Sequence, residues 1–60
     1  MIYEKVCELC ERGGITIHQL EKTLGLANGL IGRWKVSSPT VHNLKKVADY
    51  FKVDIQYFLA

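Results

Sequence analysis

The sequence predicts an all-α fold, a compact bundle of five short helices, and three observations carry that expectation. Apolar residues recur at helical spacing through most of the 60 residues. The interruptions between these stretches are short and rich in Gly, Ser, Thr or Pro. No run alternates apolar and polar residues as a half-buried strand would. The first helix follows from Ile2, Val6, Leu9 and Cys10, which fall on one face over residues 2–12, and Gly13-Gly14 ends it. Thr16 opens the second, because with Gln19 three positions on it forms a capping box. Ile17, Leu20 and Leu24 make the inner face of that helix, and Gly25 stops it where positive φ costs glycine nothing. A third helix is expected from about Asn28 to Lys35, with Ile31 and Trp34 turned inward. Ser37-Ser38-Pro39 breaks the pattern, since the residue before proline is pushed out of the helical region. Thr40 caps a fourth helix whose apolar face is Val41, Leu44, Val47, Ala48 and Phe51. Asp54 caps a short fifth one carrying Ile55, Phe58 and Leu59. At the end of the bundle such a helix has few neighbours, so these three residues are expected to stay partly uncovered within one protomer.

Composition restricts the class further. The chain reads as one domain, 1–60, without repeats or linker. A core this small is marginal unless densely packed, and the 48% apolar content supplies that density and excludes a disordered tail. No apolar run approaches the roughly 18 residues needed to cross a bilayer. Glu4, Lys5 and Glu8 interrupt what a secretory signal would need as a continuous apolar stretch, so a cytoplasmic protein with no membrane partner is expected. A net charge of +2 and a pI near 8.7 permit a nucleic-acid partner without requiring one.

The stretch Thr16 to Trp34 carries the functional signal. One helical pattern stops at Gly25 and another begins about three residues later, the spacing of a helix-turn-helix. The outer face of the second of these helices is left free to enter a groove, and it holds Asn28, Gly29, Gly32 and Arg33. Asn pairs bidentately with adenine and Arg with guanine, so these four are the candidate base-facing residues. Each glycine costs a helix about 0.5–1 kcal/mol relative to alanine. For Gly32 close approach of the backbone to DNA is the expected reason. For Gly29 that reason stands beside a second one, an Asn-Gly turn that delays the start of the helix. Phosphate contacts are expected where helix ends leave amides free and short polar side chains gather. These places are Thr16, His18 and Gln19, then Ala27, then Lys35, Ser37 and Ser38, then Thr40 and Asn43. For each threonine taken alone, capping is the simpler role.

Other chemistries fit worse. Cys7 and Cys10 form a C-x-x-C pair, yet His18 and His42 lie too far apart in sequence to complete a zinc finger, and no strand precedes the pair. Both cysteines read as small hydrophobes, and no metal or cofactor is expected. Trp34 and Tyr50 read as packing aromatics. No nucleophile and base are suitably spaced and no phosphate-binding loop is present, so no enzymatic activity is expected. The rival to DNA binding is a protein-interaction module, antitoxin-like or antirepressor-like, that keeps the fold and uses exposed Leu30, Val36, Ile55 and Phe58.

The order of capping box, LEKTLGL, LIGRW, SSPT and LKKVADYFKVDIQYFL resembles the Cro and lambda-repressor type of helix-turn-helix domain, found in phage and bacterial transcription regulators, over nearly the whole chain. The resemblance implies a lambda-repressor-like five-helix bundle whose third helix lies in the major groove of double-stranded DNA, as a homodimer on a palindromic operator, most often as a repressor. Two positions depart from the family's habit. Glu21 stands on the inner side of the second helix where alanine is common, and bears on how closely the helices cross. Ala27 stands at the opening of the third helix where a serine or threonine hydroxyl is common.

Overall fold

The capping chemistry read from the sequence is formed in the structure, a computed structural model that describes residues 2–59. Thr16 Oγ1 accepts from the Gln19 amide at 3.0 Å while Gln19 Oε1 accepts from the Thr16 amide at 2.9 Å, so each side chain satisfies the other residue's otherwise unpaired backbone donor. Thr40 Oγ1 accepts from the Asn43 amide at 3.2 Å, and Asp54 Oδ1 from the Gln56 amide at 2.9 Å. Between these caps the described residues form four α-helices, α1 (Ile2–Gly13), α2 (Ile17–Leu24), α3 (Val41–Phe51) and α4 (Gln56–Leu59). The third of the five expected helices is instead a 3-10 helix, Ile31–Lys35. No strand occurs among the described residues.

The helix ends close in the left-handed region. Gly25 (φ 71°) follows α2, and the Leu26 amide then reaches back to the Glu21 carbonyl at 2.8 Å. Lys52 does the same work after α3 at φ 57°, with the Val53 amide on the Ala48 carbonyl at 3.0 Å. An L side chain in that conformation is strained where glycine is not. Lys52→Gly is therefore expected to stabilise the domain by about 1 kcal/mol, read as a shift in the urea midpoint with an unchanged slope; an unchanged or lower midpoint would contradict the assignment.

The buried core is Val6, Leu9 and Cys10 from α1, Leu20 from α2, Ile31 and Trp34 from the 3-10 helix, Leu44, Val47 and Ala48 from α3, and Phe58 from α4. Helix α1 is the shared wall, since α2, the 3-10 helix and α4 all pack on it. Val6, Leu20, Ile31 and Val47 are wholly enclosed, and burial of each contributes about 1.5–3 kcal/mol. The expectation for the last helix is corrected at one residue. Phe58 is only 3% exposed, because α4 lies on α1 and is fastened there by Lys5, whose Nζ donates to the Tyr57 carbonyl at 3.0 Å. Ile55 is half-buried and Leu59 exposed. Among the described residues no helix is long and apolar enough to cross a membrane.

Candidate nucleic-acid interface

Helix α2 ends and the chain must re-enter the core at Ile31 within a few residues. An α-helix running from Asn28 is ruled out by Gly29, whose φ of 86° lies outside the helical region. The sequence left two accounts of that glycine, and the structure has the Asn-Gly turn: residues 28–30 form a turn in which the Leu30 amide donates to the Ala27 carbonyl at 3.0 Å. Helical dihedrals return only at Leu30 (φ −60°, ψ −47°), and the 3-10 helix runs from Ile31, with three-residue bonds from the Arg33 amide to the Leu30 carbonyl (3.1 Å) and from the Val36 amide to the Arg33 carbonyl (3.0 Å).

This tighter segment still separates an inner and an outer side. Ile31 and Trp34 are buried, whereas Arg33 between them is exposed. Among the described residues the Arg33 guanidinium has no carboxylate partner. Gly32 is half-buried, and a Cβ built on it would meet nothing within 4 Å. No packing inside the protomer requires glycine at that position. Asn28 is exposed, and its Oδ1 lies 3.1 Å from His18 Nδ1, a hydrogen bond when that nitrogen carries the proton. Gly29 presents its amide inward, toward Glu21.

Glu21 is the residue that sequence reasoning undervalued. The residue is only 3% exposed, and its two carboxylate oxygens accept from the Gly29 amide at 3.0 Å and the Ile31 amide at 2.9 Å. It ties α2 to the segment that follows, using charge-assisted bonds stronger than neutral ones. The available signal was the conjunction of a charged residue on an inner face with a hydroxyl-less Ala27 where the next helix was expected to start.

The rim divides into residues already engaged and residues free to reach outward. Thr16 with Gln19, and Thr40 with Asn43, are joined as caps, and Asn43 is half-buried. Ser37 Oγ donates to the Arg33 carbonyl at 3.2 Å, fixing the loop that leaves the 3-10 helix. Lys35 is exposed, with Nζ 5.0 Å from the centre of the Tyr3 ring, a cation–π contact that leaves its charge at the surface. Ala27 and Ser38 are exposed. The structure thus brings His18 to Asn28 and Ser37 to Arg33, on either side of the 3-10 helix. Cys10 lies in the core, and burial first, then the neighbouring Cys7, pushes its pKa up to about 11. It remains a neutral thiol at physiological pH. Among the described residues no group of three or more His, Cys, Asp or Glu could hold a metal ion.

A capped helix, a glycine-stopped turn and a second helical segment with a buried inner side and a cationic outer side define a helix-turn-helix domain. A family model described as helix-turn-helix matches residues 8–58, and the chain belongs to that family, the Cro/C1-type helix-turn-helix domains of DNA-binding regulators. No curated protein and no solved structure matches the chain.

Proposed function

We propose that this chain is a sequence-specific double-stranded DNA-binding regulator of phage or bacterial type, acting in the cytoplasm as a repressor. The observation that carries the reading is the outer side of the 3-10 helix. Arg33 projects there without a carboxylate partner among the described residues, beside a Gly32 that no contact among them requires. A glycine at the surface of a groove-reading element lets the backbone approach the DNA, and an unpaired guanidinium beside it reaches a guanine edge. Asn28, held by His18, stands one turn earlier in reach of adenine. Polar groups and lysine around the helix ends supply phosphate contacts, from Thr16, His18, Gln19 and Ala27 on one side and Lys35, Ser37, Ser38, Thr40 and Asn43 on the other. The domain works as a homodimer on a palindromic operator, with the exposed Leu59 and half-buried Ile55 of each protomer contributing to the two-fold contact.

One observation favours the protein-interaction reading. Val36 is 90% exposed and borders a groove lined by Ile2, Trp34, Lys35, Ser37, Ser38 and Pro39. Selection from a pool of randomised duplexes separates the two. The DNA reading predicts an enriched site with two-fold symmetry, its half-sites about one helical turn apart. Failure to enrich any sequence would favour the protein-binding module.

A further inference from the structure

The segment that carries Arg33 has little of its own to hold it in place. Its hydrogen bonds span three residues, and such runs are short and weakly bonded. Leu30, at its entry, contributes no side-chain cap, and Ala27 has no side-chain acceptor. The amides of Gly29 and Ile31 would be left without partners at the point where the chain turns back into the core. Both are taken by one buried carboxylate on α2, that of Glu21. Three residues earlier on the same helix, His18 meets the Asn28 side chain.

We propose that Glu21 is a positioning residue for sequence readout. Its carboxylate fixes the register of the 3-10 segment against α2 and thereby sets where Arg33, Gly32 and Asn28 stand relative to base edges. The inference rests on the reading of this face as DNA-binding. Base readout tolerates displacements smaller than a hydrogen bond length, whereas phosphate attraction is insensitive to them. Loosening the segment therefore costs specific binding and spares non-specific binding. Gln at position 21 keeps one acceptor but turns an NH2 donor toward an amide donor, so one of the two bonds is lost. Ala loses both. A serine hydroxyl at position 27, just before the turn at residues 28–30, can accept from the amide two residues on as serine does in turns, and so restores a partner for Gly29 from the other side.

The test uses the full chain, with amide hydrogen exchange followed by NMR and binding measured to the selected operator and to mixed-sequence duplex. Glu21→Gln is expected to speed exchange by about tenfold or more at whichever of the Gly29 and Ile31 amides then faces the NH2 group, the equivalent of one lost bond to a charged acceptor, while the Leu44 and Val47 amides keep their protection. Operator affinity falls by about tenfold on the same basis, and mixed-sequence affinity holds to within about twofold because its source is phosphate charge. Adding Ala27→Ser to Glu21→Ala regains part of the operator affinity. Glu21→Gln preserves side-chain volume and carries both measurements even if Glu21→Ala is too unstable to assay. Unchanged exchange at Gly29 and Ile31 overturns the proposal, and so does an equal loss of operator and mixed-sequence affinity. A parent chain that selects no operator overturns the DNA reading itself and this role with it; a parent that selects one while Glu21→Gln discriminates fully overturns the role alone.

Discussion

Trp34→Ala is expected to leave the protein largely unfolded at 25 °C. Trp34 is 5% exposed, and it sits in the 3-10 helix that packs on α1, so its loss opens a cavity in the wall shared by the other elements. Truncating a buried aromatic to alanine costs about 3–5 kcal/mol. The domain has at most a few kcal/mol beyond that to lose, since small single cores sit at the low end of about 5–15 kcal/mol. The loss also reaches function, because Ile31 and Trp34 are the buried residues of the 3-10 helix, which presents Arg33 from between them. A circular dichroism melt checks this. A cooperative transition within a few degrees of the parent would show that Trp34 does not anchor the segment.

Arg33→Ala is expected to weaken binding to the preferred operator by about 1–3 kcal/mol and to flatten the preference at one base pair per half-site. Mixed-sequence affinity should change little. The side chain is exposed between two buried residues and has no carboxylate partner among the described residues, so its removal leaves the protein's own packing intact and the parent's melting temperature should be kept. An operator series with each base pair changed in turn measures the preference. A uniform loss across sequences, with a salt slope shallower by about one unit, would make Arg33 a phosphate contact instead.

How much of this was legible in the sequence depended on the range of the interaction. Thr16 with Gln19, Thr40, Asp54 and Gly25 act within a turn of themselves, and each cap or stop formed where its residue type demanded. The inward faces of α1, α2 and α3 followed from apolar spacing for the same local reason, except at Val41, the first residue of α3, which was expected on the inner face and is 73% exposed. The third element did not. Ile31 and Trp34 have the three-residue spacing of an α-helix face, but the same spacing suits a 3-10 helix, and only the backbone at Gly29 decides between them. Phe58 was misplaced because its cover comes from α1, more than forty positions away in sequence, through a contact that includes Lys5 and the Tyr57 carbonyl. Glu21 was named as a departure, yet its partners are the backbone amides of Gly29 and Ile31, and backbone amides leave no mark in a sequence. The positions Asn28, Gly32 and Arg33 were chosen by exclusion from the inner face; Asn28, in the turn ahead of the 3-10 helix, and Arg33 within it are exposed, and Gly32 is half-buried. The hydrogen bond between His18 and Asn28 was not foreseen, since it links the start of one element to the start of the next.

The central claim is that the face around Arg33 binds duplex DNA and neutralises phosphates with the cations and helix starts at its rim. It is tested most directly by titrating the selected operator into the protein at several salt concentrations from about 50 to 200 mM, the range over which counterion release changes affinity steeply. The account predicts a straight log–log plot with a negative slope of about 0.9 per neutralised phosphate. Binding that is undetectable at low salt, or unchanged across the series, would contradict it.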